Sequence, residues 1–160
     1  TKIYSRLLFV FTKSLPNRAT IPFHIILEEA HRYVQNDNDV EIYGYNIFDR
    51  ITKEGRKYGV ILGLISQRPS DLSETSVSQC NNFLIFKMRH PRDVEYIRSM
   101  VPNITEEIVK RLKVLQPGNC IAFGSAFNVP VLVKMDKPDP APSSDSCDIS
   151  ATWFIDRKKQ

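Results

Sequence analysis

The sequence predicts an α/β domain built on a mostly parallel sheet. Four short apolar runs, Phe23–Leu27, Val60–Ile65, Phe83–Phe86 and Cys120–Phe123, are separated by stretches of helical periodicity. The runs are continuous rather than alternating, which suits strands covered on both faces. A fifth run, Val129–Val133, follows the fourth across a short Gly-containing link and reads as the return strand of an antiparallel hairpin.

The elements follow in order. Lys2–Thr12 is rich in Ile, Leu, Val and Phe. Periodicity admits a helix or a strand there, and the polar Pro16-Asn17-Arg18 loop before the next run favours a helix. Tyr43–Tyr58 places Ile47, Phe48, Ile51 and Gly55 on one helical face, with Gly59 just past the helix end. Pro91–Met100 opens with Pro at a first-turn position, and Asp93 and Glu95 suit the positive end of the helix dipole. Thr105 is a good N-cap for a further helix, with Glu106 and Glu107 in its first turn. Ile104 and Val109 are spaced for a hydrophobic staple across that cap. Pro130 has no N–H to donate, so its strand belongs at an edge. From Pro138 to Ser146 the chain is almost all Pro, Ser and Asp, the composition of a flexible arm. Trp153 and Phe154 beyond it are apolar and suited to docking on another surface. The expected division is a folded part over residues 1–136 and a tail over 137–160.

Composition narrows the class. A length of 160 residues is one domain or a large piece of one. The 42% hydrophobic and 25% charged content excludes a disordered chain. No apolar run approaches the roughly 20 residues of a membrane span, so no membrane partner is expected. The net charge of +4 permits contact with nucleic acid without arguing for it. Three cysteines (Cys80, Cys120, Cys147) and no CxxC exclude a disulfide framework or zinc ribbon and fit a reducing, cytoplasmic setting. The chain starts at Thr1 without a signal-peptide pattern, which suggests a piece of a longer soluble protein.

The chemistry concentrates in Phe23-His24-Ile25-Ile26-Leu27-Glu28-Glu29-Ala30-His31, an apolar strand that ends in two carboxylates. In an open parallel sheet, ligands bind beyond the carboxyl ends of the strands. Adjacent acids there can divide two tasks. Glu28 can hold a hydrated Mg²⁺, and Glu29 can orient or deprotonate an attacking water. This is the Walker B pattern, although apolar strands also end in acids simply to meet solvent. The second run ends in Ser66-Gln67-Arg68-Pro69, where Gln67 can bond both a γ-phosphate and the water, or merely make a turn. Arg68 is either a phosphate contact or a solvated charge. Arg56 and Lys57 suit a helix C-terminus as dipole partners, and Arg56 also suits an arginine finger.

Five motifs in order carry a family resemblance: Leu27-Glu28-Glu29-Ala30-His31, Glu54-Gly55-Arg56-Lys57-Tyr58-Gly59, Ile65-Ser66-Gln67-Arg68-Pro69, Ser78-Gln79-Cys80-Asn81 and Pro91-Arg92-Asp93. Over roughly Lys2 to Met135 the chain resembles the HerA-like ATPases, relatives of the FtsK motor and of conjugation ATPases. The resemblance implies a RecA-like P-loop NTPase core, incomplete at its N-terminal side. It also implies ATP and Mg²⁺ as cofactors, DNA as a partner, assembly into a homo-hexamer that translocates or unwinds DNA, and in some relatives a partner nuclease. Residue by residue, it implies that Glu28 assists Mg²⁺, Glu29 is the catalytic base, Gln67 senses γ-phosphate and Arg56 reaches a neighbouring subunit's nucleotide. The wider P-loop group usually has Asp where Glu28 stands. No G-x-x-x-x-G-K-[ST] occurs in the chain, so the phosphate cradle is expected upstream.

Other readings compete. Glu28, Glu29, His31 and His24 could on paper ligate a metal, but their spacing is not that of a zinc motif. His24 reads as a core histidine, and His31 as a loop residue bonding the backbone. Cys120 reads as an inert buried thiol, and Cys80 lacks a histidine partner. Lys53, Arg56 and Lys57, or Lys87, Arg89 and Arg92, are basic clusters suited to DNA or to solvent, whereas the acidic loop Asn36–Glu41 is not suited to phosphate. The alternatives to a DNA motor are a non-catalytic oligomerisation module and the ATPase of a conjugation or secretion system.

Overall fold

A computed structural model describes residues 1–35, 45–101 and 104–143. The elements run α1 (Lys2–Ser14), β1 (Phe23–Leu27), α2 (Ile47–Glu54), β2 (Val60–Leu64), α3 (Glu74–Ser78), β3 (Asn82–Ile85), α4 (Pro91–Met100), α5 (Glu106–Val114), β4 (Asn119–Gly124) and β5 (Val131–Lys134). Short 3₁₀ turns cover Ala30–Arg32, Gly55–Tyr58 and Pro69–Asp71. The α/β class is as the sequence predicts. Residues Asn36–Glu41, Tyr43, Cys147, Trp153, Phe154 and most of the tail lie outside the described residues.

Two ladders form. β1 and β2 pair in parallel, Phe23 opposite Val60 and Leu27 opposite Leu64. The second sheet has the order β3-β4-β5 and is antiparallel throughout. The predicted hairpin is therefore present with β5 at the edge, and it extends to a third strand, because β3 joins it instead of a parallel ladder. Gly124 makes that junction possible. It stands at φ +125°, and a Cβ there would lie 2.1 Å from the Asn81 carbonyl oxygen.

The core falls into two adjoining clusters. In the first, Phe9, Leu27, Val34, Ile47, Phe48, Ile51 and Val60 are buried together, and Ile25, Leu62 and Leu64 pack against them. Thus α1 and α2 cover one face of the β1–β2 ladder. The second cluster gathers Ile85, Ile97, Leu112, Ile121 and Phe123 from β3, α4, α5 and β4, with Leu115 just past the end of α5. Phe83 stacks on Phe123 with ring centroids 5.2 Å apart and touches both clusters.

The continuous apolar runs over-predict burial. Among the described residues only β4 has an uninterrupted buried stretch, Cys120–Phe123. In β1 burial alternates, and Ile26 remains 69% exposed. His24, expected in the core, shares that outward face and is exposed. A hydrophobic run shows that a strand can be covered twice, but among the described residues only one face of β1–β2 is.

Helix ends follow local chemistry. Thr105 caps α5 by accepting the Ile108 N–H, and Pro91 opens α4. Asn46 caps α2 through the Phe48 N–H. The predicted long helix through Tyr58 instead tightens into a 3₁₀ turn at Gly55, which ends at Gly59 with φ +76°. Gly55 allows close passage to β2, because a Cβ there would meet the Val60 carbonyl oxygen at 2.5 Å.

Candidate active site at the C-terminal rim of the parallel strands

The parallel register brings the carboxyl ends of β1 and β2 together. The Ile65 N–H donates to the Leu27 carbonyl at 2.9 Å, and the Ala30 N–H donates to the Ile65 carbonyl at 2.8 Å. Between these bonds the chain turns sharply at Glu29, which stands at φ 50°, ψ 46°. That left-handed conformation costs a non-glycine residue roughly 1–2 kcal/mol. The cross-strand bonds and the following 3₁₀ turn, anchored by the buried Ala30, hold it there.

The turn presents the Glu29 carboxylate to the end of β2. Gln67 Nε2 donates to Glu29 Oε1 at 2.7 Å. His31 Nδ1 lies 3.3 Å from Glu29 Oε2 and 3.1 Å from Ser66 Oγ. The Ser66 hydroxyl in turn accepts the Arg68 N–H at 3.0 Å. Four side chains from two strand ends therefore form one polar network around a carboxylate that is still partly open to solvent.

Glu28, one residue earlier, is exposed, and its carboxylate makes no hydrogen bond or ion pair among the described residues. Arg68 is exposed beside Gln67, and its guanidinium is likewise without a partner among the described residues. Arg56 lies elsewhere. It sits in the 3₁₀ turn before β2, where the Phe23 N–H meets the Gly59 carbonyl, so it is at the opposite end of the ladder. A five-residue strand separates the two ends by roughly 15 Å. Arg56 cannot reach the rim of its own chain.

The rim suits Mg²⁺ held by one carboxylate. Mg²⁺ usually keeps several waters and is bound through one or two carboxylates plus substrate phosphates, so a free, solvated Glu28 fits and a closed cage is not needed. Among the described residues no group of three or more His, Cys, Asp or Glu could hold a metal by itself.

His31 departs from expectation, since its Nδ1 pairs with Ser66 Oγ and lies beside the Glu29 carboxylate rather than bonding a backbone group. The place of Ser66 in this network is marked in the sequence only by its position directly before Gln67. Cys120 is fully buried, and burial pushes its thiol pKa up, as befits an inert thiol. Lys53, Lys57, Lys87 and Arg89 are exposed, and Arg92 lies 4.0 Å from Asp71. No helix among the described residues is long and apolar enough to cross a membrane.

The described fold is thus an α/β arrangement in which an acid and an amide meet at the carboxyl rim of a parallel strand pair, beside an antiparallel sheet. Comparison with solved structures agrees. The DNA-packaging ATPase B204 of Sulfolobus turreted icosahedral virus superposes with a TM-score of 0.64 at 17% identity, over 85% of this chain and 62% of that one. The genome packaging NTPase B204 of Sulfolobus turreted icosahedral virus 2, in complex with AMPPCP, gives 0.64 over 83% and 62%. These likenesses concern the fold alone.

Sequence similarity is closer. A Methanocaldococcus jannaschii protein named "Probable helicase" is 36% identical over 135 residues, covering 84% of this chain and 26% of its own length. The DNA double-strand break repair helicase HerA of Sulfurisphaera tokodaii is 36% identical over 116 residues, covering 72% and 23%. No family model matches. Over the stretch shared with these relatives, the chain belongs to the HerA-like family of helicases. It spans about a quarter of the length of the curated relatives that it matches.

Proposed function

We propose that this chain is part of an ATP-driven DNA translocase or helicase of the HerA type and supplies the acidic rim of its nucleotide site. The observation that carries this reading is the 2.7 Å bond from Gln67 Nε2 to Glu29 Oε1, which places an amide and a carboxylate side by side at a parallel rim. Glu29 is the general base that orients and deprotonates the attacking water. Gln67 holds that water and the γ-phosphate with its amide, and Arg68 adds positive charge beside them. Glu28, solvated and unpaired, takes the metal-assisting role. Mg²⁺ bound with ATP supplies charge neutralisation on the phosphates. Arg56, too far from its own rim, serves the nucleotide of the next subunit, which supports a ring. That ring is a homo-hexamer acting on DNA in the cytoplasm, alongside a nuclease.

The motor part occupies residues 1–136, and residues 137–160 form its tail. The phosphate cradle comes from sequence upstream, because no G-x-x-x-x-G-K-[ST] occurs here. The isolated chain is accordingly inactive.

The test is Glu29→Gln in the full-length protein. The variant retains ATP binding but loses turnover by about a hundredfold or more, as expected when a general base is removed. A single-turnover rate within twofold of the parent rejects the assigned base.

A further inference from the structure

The carboxylate of Glu29 has two oxygens, and Gln67 accounts for only one. The second, Oε2, faces His31 Nδ1 at 3.3 Å, and the same nitrogen lies 3.1 Å from Ser66 Oγ. The imidazole is well enclosed, its side chain 17% exposed. Two proton arrangements are open to this trio. In one, Nδ1 carries the proton and donates toward Oε2 and Oγ. In the other, Nδ1 accepts from the Ser66 hydroxyl and turns a lone pair toward a carboxylate oxygen. The second is repulsive and leaves Oε2 without a donor from this ring. Ser66 already accepts the Arg68 N–H at 3.0 Å, which fixes its oxygen while leaving a second lone pair for His31.

We propose that His31 is a positioning residue for Glu29: its Nδ1–H and the Gln67 amide grip one carboxylate oxygen each, so the side chain is held in one orientation across the two strand ends. A carboxylate has about four lone-pair sites, so the grip leaves room for a water to be bound and deprotonated. The backbone at Glu29 sets where the side chain starts, and the two donors set where it points. This assignment rests on the reading of Glu29 as the base.

Two measurements test it. The first uses the 160-residue chain and needs no activity. Long-range ¹H–¹⁵N correlation of the imidazole nitrogens at pH 8 reads the tautomer, with the exposed His24 and His90 as references. His31 shows its proton on Nδ1, and Glu29→Ala moves it to Nε2. A proton on Nε2 in the parent chain, or no response to Glu29→Ala, overturns the proposal. The second uses the full-length protein. His31→Ala lowers kcat by about ten- to a hundredfold with KM for ATP within about twofold, the scale expected of a mispositioned catalytic group. His31→Asn places an amide N–H near the Nδ1 position and recovers most of that loss. Equal loss in both variants, or an unchanged kcat in His31→Ala, overturns the positioning role. If His31→Ala fails to fold, the Asn variant and the tautomer decide. Turnover surviving in Glu29→Gln rejects the base itself, whereas a dead Glu29→Gln beside an active His31→Ala rejects only the positioning.

Discussion

Glu29 holds a backbone conformation that glutamate avoids, and this trades stability for geometry. At φ 50° its Cβ is crowded, at roughly 1–2 kcal/mol, while glycine adopts the same angles freely. The one hydrogen bond of the carboxylate among the described residues, from Gln67, is exposed and returns only about 0.5–1.5 kcal/mol. Glu29→Gly is therefore at least as stable as the parent chain in urea denaturation. Glu29→Val, with a branched Cβ in a left-handed turn and no carboxylate, is less stable by about 2 kcal/mol. If Gly destabilises as much as Val does, the strain argument fails. Nothing in the sequence announces this turn, because left-handed residues are usually Gly or Asn. Long-range bonds to Ile65 impose it, and a one-dimensional pattern cannot see them.

At the scale of elements, the parts that position the rim are joined by polar bonds as well as by apolar packing. Asp49 in α2 accepts from Ser73 Oγ at 2.8 Å and from Ser76 Oγ at 2.6 Å, both serines being fully buried at the start of α3. This fixes α3, whose lead-in carries Gln67 and Arg68, against the helix that packs on β2. Asp49→Ala leaves two buried hydroxyls without their acceptor and costs about 2–4 kcal/mol, whereas Asp49→Asn retains an acceptor and costs less than half of that. Thermal unfolding of both variants checks the order, and equal losses would contradict it. Elements governed by local rules were legible in the sequence: α4 from its first-turn Pro91, α5 from the Thr105 cap, the hairpin from its apolar runs. The α3 helix was not, since five residues of Glu-Thr-Ser-Val-Ser carry little periodicity and depend on Asp49 for their place. The parallel or antiparallel sense of β3 was also hidden, because an apolar run does not encode its neighbour.

At the scale of the molecule, the β1–β2 ladder carries candidate site residues at both ends. Glu28, Glu29, Gln67 and Arg68 lie at one, and Arg56 lies at the other. A chain arranged this way can offer its acids to one nucleotide and its arginine to another, which suits a ring of identical subunits. The adjacent acids and the Gln67 position were readable because a parallel strand end is a definable place in a sequence. The contacts of His31 and Ser66 were not, because they need the register between β1 and β2. The most direct measurement is a structure of the full-length protein with a non-hydrolysable ATP analogue and Mg²⁺. The expected result is the γ-phosphate at the β1–β2 rim, a water bound by Glu29 and Gln67, and Arg56 of the adjacent subunit directed at the phosphates. A nucleotide bound away from Glu29 and Gln67 would contradict it.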